Sequence, residues 1–199
     1  MSSLANFLGL LSSLFILASY AAYLKQAIKG ESTPNPASWV IWLVAGLINA
    51  FTYFAVVDGS VWQSLFVMAA TFSVLVVFLY SLVKGRFTSI KNLEMIILLI
   101  ALSIGVFWQL SDNDRLANLL LQIIYILSYI PTLMALWRLQ AEESSLSWGL
   151  AVFGYSLVVV GLVVNYPGDW IAFVSPVVNG MLGNGAVLCL ILWNKKRGL

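Results

Sequence analysis

The chain contains no histidine and one cysteine, and Asp, Glu, Lys and Arg together make up only 9% of its 199 residues. Soluble domains average about 25% charged residues, so water is not the solvent for most of this surface. Without histidine, neither a His-dependent nucleophilic triad nor an imidazole metal site can be built. The lone Cys189 excludes a disulfide framework and, lying inside an apolar stretch, reads as a small packing residue. Charged side chains are missing altogether from seven runs: Met1–Leu24, Ser32–Val57, Gly59–Val83, Met95–Ser111, Leu116–Trp137, Ser144–Gly168 and Trp170–Asn194. Within them there is no carboxylate pair for an intramembrane protease, no lysine in the last run for a retinal Schiff base, and no titratable relay for proton pumping. No phosphate-binding loop is present, and the basic residues form no run of the kind that binds nucleic acid. The expectation is therefore a protein without catalytic residues, cofactor, metal or nucleic-acid partner.

What is present is hydrophobicity, at 61% of the residues. Each charge-free run is about long enough to cross a hydrocarbon core of roughly 30 Å as a helix, which predicts seven transmembrane helices in a lipid bilayer. Met1–Leu24 carries no basic side chain, so it reads as a retained helix rather than a cleaved signal. The fourth run is the shortest. Lys25 and Lys29 follow the first run, Lys84, Arg86 and Lys91 the third, Arg138 the fifth, and Lys195, Lys196 and Arg197 the seventh. All of these fall on one side, while the other holds Arg115 with Asp58, Asp112, Asp114 and Asp169. Because basic residues are retained in the cytoplasm, the N-terminus is expected outside and the C-terminus inside a plasma (cell inner) membrane.

The sequence also matches itself. At a single offset Ser19-Tyr20 aligns with Ser128-Tyr129, Lys29 with Arg138, and Ser38-Trp39 with Ser147-Trp148, and Trp62 meets Trp170 within one residue. This predicts two parallel three-helix bundles, 1–84 and 114–199, joined by a linker helix in 85–113. A second parallel copy needs one extra crossing to return the chain, and the short fourth helix supplies it.

On these residues the chain resembles the SWEET and PQ-loop superfamily, in which bacterial members of the same three-plus-one-plus-three plan occur. The local carriers are Tyr129-Ile130-Pro131-Thr132 with Ser147-Trp148, and Tyr20-Ala21-Ala22-Tyr23 with Gln26 and Ser38-Trp39. The family's Pro-Gln pair stands here as Pro131-Thr132 in the second half and Ala22-Tyr23 in the first. The resemblance implies alternating access around a midplane pocket built from asparagine on the last helix of each unit and tryptophan on the middle one. Asn179, in Pro176-Val177-Val178-Asn179-Gly180, is the matching asparagine, and Thr71 and Ser73 are the nearest polar substitutes on the third helix.

Polar side chains in hydrocarbon need partners or a cavity, and this selects further candidates. Gln122, Tyr125, Tyr129 and Thr132 recur at helical spacing on the fifth helix, and Ser13, Ile16, Tyr20 and Tyr23 on the first. Asn49 and Tyr155 fall near helix centres, and Trp42 lies one turn deeper than Trp39. Substrate contacts are expected from Asn179, Asn49, Trp42, Tyr155, Thr71 and Tyr125, and gating or hinge roles from Pro131, Pro176, Tyr20 and Tyr129. Trp39 and Trp148 read as interfacial belt residues. In an α-helix Asn184 points about 140° away from Asn179, so it is expected to touch another helix rather than the pocket. The functional expectation is facilitative transport of a small neutral or zwitterionic, sugar-like solute, in a chain compatible with a homo-oligomer. The alternatives are a receptor or assembly protein on the same scaffold, or an aromatic vitamin or nucleoside as substrate.

Overall fold

The computed structural model describes residues 3–32, 34, 36–84, 92–139 and 143–197. Among them the chain is all helical, with seven helices long and apolar enough to cross a membrane. They are α1 (Ser3–Lys29), α2 (Pro36–Val56), α3 (Val61–Lys84), α4 (Asn92–Ser111), α5 (Asp114–Trp137), α6 (Ser145–Val164) and a composite seventh crossing. That last crossing runs through a 3₁₀ turn at Trp170–Phe173, a π-helical segment at Pro176–Gly183 and α7 at Asn184–Lys196.

Local chemistry sets the ends. Gly30, at φ 78°, closes α1, and the Glu31 N–H donates back to the Gln26 carbonyl at 2.9 Å, satisfying one of the terminal carbonyls. The side chains of Asn113 and Ser144 cap the N-termini of α5 and α6. α4 starts upstream of its charge-free run, with Glu94 in the first turn, where the helix dipole favours a carboxylate. At 20 residues it reaches about 30 Å.

α3 lies between α1 and α2, and the π segment with α7 lies between α5 and α6. α1 packs along α6 and α2 along α5, while α4 rests on α2 and α5. Small residues permit the α1–α6 approach. A Cβ at Gly154 would meet Ile16 at 3.1 Å and Phe15 at 3.2 Å, so a larger residue would require these neighbours to give by a few tenths of an ångström. Large apolar side chains such as Phe72, Val163 and Leu192 remain exposed on the outer surface, as a bilayer requires. Cys189 is exposed with them, which corrects its reading as a packing residue: its face of α7 points away from the bundle.

The basic helix ends gather on one face. Tyr80 Oη donates to the Ala27 carbonyl at 3.3 Å, Asn194 Nδ2 to the Leu136 carbonyl at 3.0 Å, and Lys195 Nζ to Ser145 Oγ at 3.2 Å. Arg86 and Lys91, counted with them in the sequence, lie outside the described residues, as does the whole connection 85–91. The opposite face carries the Arg115–Asp169 ion pair, at 3.0 Å, and a 2.6 Å bond from Gln63 Nε2 to the Asn165 carbonyl.

Candidate functional site

A cavity of about 530 Å³ occupies the middle of the helix bundle, within the range of small-molecule sites. Its lining includes Asn49, Trp42, Thr71, Tyr125, Tyr155 and Asn179, together with Tyr20, Tyr129 and Pro131. Pro176 is buried but not part of the lining. Of the polar stripe on α5, Tyr125, Tyr129 and Thr132 face the cavity, whereas Gln122 is buried elsewhere and donates to the Asn118 carbonyl at 2.9 Å.

Aromatic rings form a band around this space. Tyr23 of α1 packs on Trp39 of α2 with centroids 5.2 Å apart, Trp39 meets Trp42 edge-on at 4.9 Å, Trp42 approaches Tyr129 of α5 at 5.8 Å, and Tyr129 approaches Trp148 of α6 at 6.3 Å. These separations lie in the attractive range for aromatic pairs. Trp42 Nε1 also donates to Ser128 Oγ, tying α2 to α5 and satisfying the indole N–H. Trp39 and Trp148 are only 4% and 7% exposed and line the cavity, which corrects the expectation of a lipid-facing belt. Their depth along the helix suited either role. Their direction around it, toward the neighbouring helices, decides.

The seventh crossing brings a second correction. Pro176 has no N–H to return to the Ala172 carbonyl, and the helix beyond it widens into the π form. Hydrogen bonding from i to i+5 brings residues five apart back to one face, so Asn179 and Asn184 both line the cavity. Asn184 Nδ2 donates to the Asn179 carbonyl at 3.0 Å and to the Gly180 carbonyl at 2.8 Å, taking up backbone acceptors in the widened turn. Tyr129 Oη donates to Asn179, reaching its carbonyl at 3.1 Å and its Oδ1 at 3.0 Å. The Asn179 side chain is thereby oriented by a residue of a different helix.

Away from the basic face the lining ends at Asn49, Phe66 and Ser175. Tyr53 is fully buried, packs edge-on against Phe66 at 5.1 Å, and donates through Oη at 2.8 Å to the Ala172 carbonyl that Pro176 leaves free. Below it, Asn118 Nδ2 donates to Asn49 Oδ1 at 2.9 Å and Thr52 Oγ1 at 3.1 Å, and Asn49 Nδ2 donates to Ser175 Oγ at 3.3 Å. Sequence reasoning missed Asn118, although it lies one helical turn before Gln122 on the polar stripe of α5. Toward the basic face the lining continues through Ser38, Ser147, Arg138 and Glu143. Glu143, in the α5–α6 connection, was also missed, because helical periodicity says nothing about a residue between helices.

Comparison with family models, with curated proteins and with solved structures gives no match. The chemistry available is therefore what the lining itself offers: ring faces for stacking, amides and hydroxyls for hydrogen bonding, and formal charges confined to Glu94, Arg138 and Glu143.

Proposed function

We propose that this chain is a facilitative carrier that moves a small neutral or zwitterionic, sugar-like solute by alternating access. In this reading residues 1–84 and 114–199 are parallel three-helix units joined by α4, with the N-terminus outside and the C-terminus in the cytoplasm. The observation that carries the proposal is the cavity: it is large enough for a small solute, lined mainly by α1–α3 and by the helices of the fifth to seventh crossings, and its lining runs from Asn49, Phe66 and Ser175 to Arg138 and Glu143 toward the basic face.

The packing supports a duplicated architecture. The third helix of each unit sits between the other two, and the α1–α6 and α2–α5 pairs exchange when the units are interchanged. One contact repeats at the offset read from the sequence. Thr71 Oγ1 donates at 3.1 Å to the Gly46 carbonyl, and Gly180 lies against the Tyr155 ring, so each unit has one glycine at the same crossing but on opposite helices. The cavity lining extends to Arg138, on the face that also carries Lys25, Lys29, Lys84 and Lys195–Arg197, and this supports an inward-open state.

Uptake into proteoliposomes, with a panel of monosaccharides, amino acids and nucleosides, tests the reading. At least one solute is expected to equilibrate faster than in protein-free vesicles, and Asn179→Ala to slow it by roughly tenfold, the effect of losing about 1.4 kcal/mol from a charge-neutral hydrogen-bond pair. If no solute enters faster, or if Asn179→Ala leaves the faster rate unchanged, the transport reading loses its support.

A further inference from the structure

Where the cavity lining ends, one of its amides is held from behind by a residue outside the lining. Asn49 of α2 lines the cavity with Ser175 and Tyr125, and its Oδ1 accepts a hydrogen bond from Asn118 Nδ2 of α5 at 2.9 Å. Asn118 is fully buried, and its Nδ2 also donates to Thr52 Oγ1 at 3.1 Å. The direction of these bonds follows from Thr52. Its hydroxyl hydrogen goes to the Ile48 carbonyl at 3.0 Å, a group that can only accept, so Thr52 Oγ1 takes a hydrogen bond from Asn118 rather than giving one. The atom of Asn118 facing Thr52 is therefore the nitrogen, and the atom of Asn49 that meets it is the oxygen. The reverse orientation of Asn118 would be worse satisfied. It would put the NH₂ group where Oδ1 now finds no hydrogen-bond partner among the described residues, stranding two donors in place of one acceptor.

We infer that Asn118 is a positioning residue that sets the hydrogen-bond polarity of the cavity's inner end, so that this end recognises an acceptor on the solute. The inference rests on the proposed transport site and names the group recognised there: a carbonyl, ether or ring-nitrogen atom, in preference to an N–H donor. With its oxygen held by Asn118, Asn49 turns its NH₂ group to the cavity side, where Nδ2 donates to Ser175 Oγ at 3.3 Å and the amide faces the Tyr125 hydroxyl. A hydroxyl that accepts from an amide keeps its own hydrogen to give. Among the described residues neither the Ser175 nor the Tyr125 hydroxyl has an acceptor for that hydrogen, so both are left to donate to a solute. Turned the other way, the Asn49 oxygen would take these hydrogens, and the same end would offer lone pairs instead. The hydroxyls follow the amide, and the amide follows Asn118.

The test uses the full chain with Cys189→Ser and a reporter thiol in the cavity lining, Ala70→Cys, in vesicles exposing the basic face to a permanently charged thiol reagent. The probes are quinoline, whose ring nitrogen only accepts, and indole, whose N–H only donates; both are bicyclic heteroaromatics of similar size, uncharged at neutral pH. Quinoline is expected to halve the labelling rate at a roughly tenfold lower concentration than indole, because it pairs the donors that indole strands. In Asn118→Leu and in Thr52→Val, which release the amide without altering the lining, that preference should fall to about twofold or less, whereas Thr52→Ser, which keeps the hydroxyl, should preserve it. A merely structural role would weaken protection by both probes alike. An undiminished preference in Thr52→Val and Asn118→Leu therefore overturns the positioning role, and indole protecting as well as quinoline in the parent protein overturns the polarity. If neither probe protects while Ala70→Cys still labels, recognition of an acceptor at this end is overturned and the cavity stands. If Ala70→Cys does not label at all, the cavity and the transport reading fail together with the inference.

Discussion

Gly180→Ala is expected to destabilise the protein by about 3 kcal/mol, the upper end for overpacking in a tight core. An added Cβ would sit 2.7 Å from the Tyr155 Cβ and closer still to the base of its ring. Rotating the far end of the tyrosine does not relieve such a contact, so either α6 or the π segment must move. Thermal unfolding in detergent measures the loss, and two comparisons isolate its cause. Gly185→Ala meets nothing within 4 Å and should be neutral or stabilising by up to about 1 kcal/mol through helix propensity. Combining Gly180→Ala with Tyr155→Ala should cost less than the two single changes added together, because the clash disappears with the ring. Strict additivity would mean that the close approach is not what Gly180 provides.

Tyr53→Ala should have the second large effect, about 3 kcal/mol, by emptying a fully buried site beside Phe66 and leaving the Ala172 carbonyl without the donor that replaces the missing proline N–H. Tyr53→Phe keeps the ring and should cost only about 1 kcal/mol, the net value of the hydrogen bond. The two variants also differ in what they do to the cavity. Loss of the ring opens the end that an inward-open state keeps closed, so a water-soluble thiol reagent on the acidic face should reach Asn179→Cys in the Tyr53→Ala protein but not in the Tyr53→Phe protein. Equal protection in both would place the seal elsewhere.

The seven spans were legible because charge is so costly in hydrocarbon that its absence marks the helices directly, and the described residues include seven helices long and apolar enough to cross. Polar positions such as Asn49, Tyr125 and Asn179 were legible for a related reason: an amide or phenol in a span requires a partner or water. Other features depend on geometry that periodicity does not carry. Asn184 was placed by α-helical arithmetic, which fails where Pro176 and the glycines that follow allow the π form. Trp39 and Trp148 lie at a depth shared by belt and pocket, and only the packing of neighbouring helices distinguishes the two. α4 looked short because cutting the sequence at charges removed Glu94 and the residues before it, which belong to the helix. Glu143 escaped notice because it lies between spans, where a charge is ordinarily solvated; what makes it unusual is its contact with Ser32, a residue far away in sequence.

The central claim is a cavity open on one side only, and sided labelling of Asn179→Cys in the Cys189→Ser background tests it most directly. A charged thiol reagent should modify this cysteine from the face bearing Lys195, Lys196 and Arg197 and leave it protected from the face bearing Arg115 and Asp169. Modification at equal rates from both faces, or from neither, would contradict the account.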